Sequence, residues 1–83
     1  MPASATLEQL APGSRACIAE ITELDDRIRA RMFALGLRIG REVAVLRRAA
    51  LGGPLHIRVG STEIMMRRRE AGLIQLKPSV DPA

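Results

Sequence analysis

Few residues of this chain could do chemistry: one thiol, Cys17, one imidazole, His56, nine carboxylates and twelve arginines among 83 residues. A protein nucleophile needs a base within hydrogen-bond reach, and no Ser or Cys stands in a motif that would partner His56. No Gly-x-x-x-x-Gly-Lys segment is present to cradle the phosphates of a nucleotide. The expectation is a protein that is not an enzyme and carries no cofactor. Metal binding fares little better, because Cys17 and His56 are the only strong sulfur or nitrogen ligands and no Cys-x-x-Cys, His-x-x-His or Glu-x-x-His spacing occurs. A site built by Cys17, His56 and a carboxylate from separate strands stays open, but a single strand histidine is more often a surface residue, so no metal ligand is assigned.

The arginines are the larger signal. Residues 1 to 26 hold one arginine against five acidic residues, a net charge of −4, while residues 27 to 83 hold twelve basic residues against four acidic ones, a net of +8. Arginine's planar fork suits carboxylate and phosphate partners, so an acidic protein surface, an anionic membrane face and nucleic acid all fit this asymmetry. The run Arg67-Arg68-Arg69 invites a nucleic-acid reading. Three consecutive residues on a turn diverge, however, and Glu70 is close enough to pair with one of them, which favours a solvated face. Single-strand binders also stack bases on aromatic side chains, and Phe33 is the only aromatic here. No specific nucleic acid is expected.

These residues must be positioned by a thin, aliphatic domain. A chain of this length allows a single domain, 1 to 83 with its core at about 7 to 77, burying roughly 60% of its unfolded surface. The lone cysteine fits a reducing compartment, the N-terminus has no basic and apolar signal pattern, and no apolar run nears the roughly 18 residues of a membrane span. A cytoplasmic protein is expected, meeting the membrane only through a partner.

Along the chain, residues 1 to about 5 read as frayed, and Leu7 and Leu10 as a helical turn or extended lead-in before Ala11-Pro12-Gly13. Arg15 to Ile21 reads as a strand with broken alternation, consistent with a bulge. Thr22 or Asp25 then caps a helix whose apolar stripe is Leu24, Ile28, Met32 and Leu35, ending at Gly36. Beyond Gly40 the period becomes two. Val43 and Val45, then Leu55, Ile57 and Val59, then Ile64 and Met66 mark half-buried strands. Gly60-Ser61 suits a two-residue hairpin with a positive φ at its first position. Arg67 to Gly72 is a helical turn, and Ile74 to Lys77 a closing strand before Pro78. The fold class is mainly β: a small closed or nearly closed barrel of about five strands with one α-helix and a short helical turn.

The segments Met32 to Val45, Leu51 to Gly60 and Glu63 to Leu76, taken in order with Leu10-Ala-Pro-Gly13 as an opening turn, resemble the FeoA family of ferrous iron transport proteins. The likeness covers roughly Leu7 to Lys77. It implies an SH3-like barrel and an accessory role beside the FeoB-type membrane GTPase transporter of ferrous iron. It also implies kinship with a C-terminal module of iron-dependent repressors, which makes a nucleic-acid-linked regulator the alternative. The chain departs from the family pattern at Ile39, where proline is usual, at Gly53, where an acidic residue is common, and at Met66, which stands for leucine.

Two segments are candidates for contact with a partner. Phe33 lies about 180° around the helix from Leu24, so it is either an aromatic anchor or a residue covered by the lead-in at Leu7 and Leu10. The loop Arg48 to Pro54 puts Leu51 at its tip, where it either folds back or waits for a partner. The candidate partner-binding set is Phe33, Arg48, Leu51, Gly52, Gly53 and Pro54, with Gly13, Gly36, Gly40 and Gly60 as structural turns. Weak self-association through a barrel edge is a further expectation.

Overall fold

The computed structural model describes residues 5–22 and 25–78. Five antiparallel strands form one sheet in the order β4-β3-β2-β1-β5, where β1 is Arg15–Ile21, β2 Glu42–Arg48, β3 Leu55–Val59, β4 Thr62–Met66 and β5 Ile74–Pro78. Helix α1 spans Asp26–Ala34, and a single turn, α2, spans Arg68–Ala71. The expected frayed start falls almost wholly on residues outside those described, as does Leu24 of the expected helix stripe.

The period-two pattern produces the core directly. Val43, Val45, Leu55, Ile57, Val59, Ile64 and Met66 all point inward and are buried, joined by Ile18, Ile74 and Leu76 from the other two strands. Each large aliphatic side chain removed from water contributes roughly 1.5 to 3 kcal/mol, and among the described residues no polar residue is buried with them. Met65 alternates outward, as the pattern requires. The break in alternation within β1 is a register shift between Ile18 and Glu20 against β5.

Turn chemistry closes each connection. The β3–β4 hairpin pairs Val59 with Thr62 across Gly60-Ser61. Only Gly60 of the two has a positive φ, +62°, which is the II′ pattern whose twist matches the flanking strands. At the start of α1 it is Asp25, not Thr22, that caps: its Oδ1 accepts from the Ile28 N–H at 2.9 Å. Gly36, at φ +90°, then ends the helix one residue after its C-cap, a position where a side chain is disfavoured.

The lead-in is a 3-10 turn, Leu7–Gln9, which drops Leu7 fully into the core. The Gln9 side chain accepts from the Thr6 N–H at 2.9 Å, fixing the start of that turn. Just before it the backbone runs beside β5. Leu76 donates its N–H to the Ala5 carbonyl at 2.7 Å, and Thr6 bridges to Gln75.

Candidate functional site

The β2–β3 connection has the most unusual backbone among the described residues. Between Arg48 and Leu55, which pair across the ladder, a short 3-10 turn at Ala50–Gly52 carries Leu51 at φ 58°, ψ 38°. Leu51 is the only non-glycine residue with a positive φ among those described. The left-handed region costs an L-residue roughly 1 to 2 kcal/mol. Its side chain recovers nothing by burial, since it is fully exposed at 104%. A leucine held in a strained conformation with its whole side chain in water is a feature the surrounding structure must impose.

Two arginines impose it. Arg68, the first residue of α2, donates from Nε to the Gly53 carbonyl at 3.0 Å and from Nη2 to the Ala49 carbonyl at 3.2 Å. Arg48 donates from Nη1 to the carbonyls of Glu8 and Leu10, at 2.6 and 3.1 Å, tying the base of the loop to the N-terminal turn. Within the loop, Ala49 donates to Pro54 and Gly53 to Ala50, each at 3.1 Å. Gly53 is required by space: a Cβ there would lie 2.7 Å from that of Ala49. Gly52 is required by conformation, at φ +77°.

Arg48, placed by sequence in the partner-contacting set, uses its guanidinium on the chain's own carbonyls and supports the loop from beneath. One expectation is corrected here. The Arg67 to Arg69 run is not a uniformly solvated face, because Arg68 is the loop's clamp, and Glu70 pairs with none of the three. Its Oε2 accepts instead from Arg31 Nη1 of α1 at 2.6 Å, joining the helix to the α2 turn. Neither pairing leaves a local mark, since Arg31 and Glu70 are 39 positions apart.

Phe33 lies elsewhere, in a groove of about 520 Å³ with Ile21, Met32, Leu37, Arg38 and Ile39 among its lining residues. It is 61% exposed and Ile39 67%, so the lead-in does not cover the ring as one reading had it. Leu7 turns into the core and Leu10 packs against it. The Arg38 guanidinium sits 4.4 Å from the Phe33 ring centroid, a cation–π contact. The predicted set is therefore split: Leu51 to Pro54 and Arg48 form one loop, and Phe33 belongs to a separate apolar groove. In the sequence Ile39 stands out only as a departure from the family's usual proline, and its apolar side chain between Arg38 and Gly40 is the signal that the groove continues there.

The reactive side chains are not drawn together. Cys17 stands on β1 opposite Glu42 and Lys77, whereas His56 stands on β3 opposite Arg47 and Met65. Among the described residues no group of three or more His, Cys, Asp or Glu side chains is placed to hold a metal ion. His56 Nε2 instead lies 2.9 Å from Glu63 Oε1, and Arg58 donates to Glu63 Oε2 at 3.3 Å. The Arg58 hydrogen bond, then that of His56, holds the Glu63 carboxyl below its usual range. No helix among the described residues is long and apolar enough to cross a membrane.

A five-stranded antiparallel sheet wrapped on an aliphatic core, with its distinctive residues at a loop tip and in a surface groove, defines an SH3-like barrel module. The FeoA domain model matches residues 5–78, and the chain belongs to the FeoA domain family. Among solved structures it is similar to iron(II) transport protein A of Clostridium thermocellum, with 28% identity and a TM-score of 0.83. That match covers 89% of this chain and 45% of the other, so this chain spans less than half of that protein's length. It is also similar to zinc-complexed FeoA of Stenotrophomonas maltophilia, at 29% identity and TM-score 0.78, covering 88% and 89% of the two chains. That protein is described as a prokaryotic SH3 domain protein and a candidate ferrous iron transport activating factor. A manganese-dependent transcriptional repressor shares the fold at 19% identity and TM-score 0.84, over 96% of this chain and 44% of that one. Comparison with curated proteins by sequence gives no match.

Proposed function

We propose that this protein is a non-enzymatic accessory component of ferrous iron uptake that docks, through the Leu51 loop, on the cytoplasmic portion of a FeoB-type membrane GTPase transporter and modulates its activity or assembly. The observation that carries the docking reading is Leu51 itself: fully exposed, left-handed and held out by Arg68. Burying a leucine side chain in a partner's pocket contributes roughly 1.5 to 3 kcal/mol. A loop already fixed in shape loses little further entropy on binding. The ferrous iron assignment comes from family membership and from the S. maltophilia and C. thermocellum relatives.

The nucleic-acid-linked alternative has the weaker support. Arg68 is engaged with loop carbonyls, and the one aromatic side chain is stacked under Arg38.

Capture of the transporter's soluble domains by immobilised protein tests the reading. Wild type should retain them and Leu51→Asp should not; equal capture by both would clear the loop of a docking role. A filter-binding series over salt separates the alternative, since phosphate-contacting proteins lose affinity steeply as salt rises.

A further inference from the structure

We propose that the outer face of the sheet carries a binding site for a phosphate group, formed by Arg15, Arg41 and Arg58. The three side chains line a concave pocket of about 240 Å³ whose remaining lining is Glu42, Ala44 and Gly60. It is separate from the Leu51 loop and from the Phe33 groove, and the inference does not rest on the docking reading.

Strand register builds two walls and the floor. Arg15 of β1 pairs with Ala44 of β2, and Ala44 pairs with Arg58 of β3, so one outward row across three strands reads Arg, Ala, Arg. With strands spaced about 4.8 Å apart, the two arginine backbones stand about 10 Å from each other with only a methyl group between them. A longer residue at position 44 would fill that gap.

The third wall comes from Arg41, just before β2. Its carbonyl accepts from the Ile18 N–H at 2.8 Å, which fixes the backbone from which the side chain departs. Its guanidinium lies across the β3–β4 turn, with Nη2 2.5 Å from where a Cβ of residue 60 would stand. The glycine that the hairpin needs for its positive φ thus also makes room for the arginine.

The charges are only partly cancelled. Arg15 approaches Glu42 only to 3.7 Å, and Arg58 shares Glu63 with His56. Arg41 makes no ion pair among the described residues. Three arginines thus line a pocket whose one acidic lining residue is Glu42. A phosphate monoester, with nearly two negative charges and three acceptor oxygens, matches that surplus better than a carboxylate with one charge and two oxygens. Guanidinium forks recognise phosphate bidentately. A single small concavity fits one phosphate group, on a small molecule or a lipid headgroup, whereas a nucleic-acid backbone would ask for a row of such sites.

The test is a titration of 15N-labelled protein at fixed ionic strength with inorganic phosphate, with GTP and with vesicles containing phosphatidic acid, whose headgroup is a phosphate monoester, following the amides of Ala44, Arg58 and Gly60. Saturable shifts are expected at those amides. Arg41→Gln should weaken binding at least about tenfold, equivalent to about 1.4 kcal/mol, and Arg67→Gln should leave it unchanged. Ala44→Glu should abolish it; if that variant does not fold, Arg41→Gln, exposed and outside the strands, carries the test. Tighter binding of GTP than of phosphate without vesicle association assigns a soluble phosphorylated ligand. Vesicle association that Arg41→Gln removes assigns a lipid headgroup. Shifts that stay linear with all three probes, or equal weakening by Arg67→Gln and Arg41→Gln, would overturn the proposal.

Discussion

The Arg68 guanidinium reaches back 15 positions to donate to the Gly53 carbonyl at 3.0 Å. One side chain of the α2 turn thereby sets the shape of the loop that presents Leu51. Arg68→Ala should release that loop while leaving Leu51 in place. Charged hydrogen bonds of this kind contribute roughly 1.5 to 3 kcal/mol, and the variant should lose stability on that order. Hydrogen exchange at the Ala49 and Gly53 amides, which bond within the loop, should accelerate while exchange at β3 stays slow. Unchanged protection at both amides would show that the loop holds its shape without the clamp.

Leu51 should separate stability from binding. Asparagine tolerates the left-handed region far better than leucine, and no buried contact is lost because the side chain is fully exposed. Leu51→Asn is therefore expected to melt at the wild-type temperature or slightly above it, while capture of the transporter's soluble domains falls at least about tenfold, matching the loss of a buried leucine. A destabilised variant would mean that the leucine packs in solution.

Glu63 should leave a signature at acid pH. Its carboxyl is held below the usual value of 4.5, by Arg58 first and then by His56. A depressed carboxyl stabilises the fold above its unfolded value, and that contribution disappears as pH falls through the lowered one. Melting temperatures of wild type and Glu63→Gln should differ at neutral pH and converge as pH drops from 4.5 downward. A gap that persists into strong acid would point to some cause other than ionisation.

The Arg31–Glu70 pair should matter more than an ordinary surface pair. Its acid is only 12% exposed, and the other carboxylate oxygen, Oε1, is buried without a hydrogen bond. Arg31→Ala would strand the carboxylate and should cost about 1 to 3 kcal/mol in a urea titration. Glu70→Gln, which removes the charge as well, should cost less than Arg31→Ala. The reverse order would deny the pair its role in holding α1 to the α2 turn.

Much of the architecture could be read from local pattern. The alternation of Val43 with Ala44, and of Leu55, Ile57 and Val59 with His56 and Arg58, gave each strand its inner face. Gly36 and Gly60 marked a helix end and a hairpin that need positive φ. The loop was legible as a place, from its glycines and proline, but its mechanics were not. Whether Arg48 and Arg68 point to solvent or to carbonyls depends on elements 15 to 40 residues away, a distance over which no spacing rule operates. The left-handed backbone of Leu51 is equally invisible, because nothing about leucine advertises it. Phe33 could be placed opposite the helix stripe by angle alone, yet its neighbour Ile39 joins it only after the chain has turned at Gly36.

Ala5 and Thr6, bonded along Leu76 and Gln75, act as a guard on the flank of β5 that faces away from β1. Strand flanks left bare recruit other chains. Proteolytic clipping just beyond Thr6 would bare that guarded flank and turn it into a sticky seam for other chains.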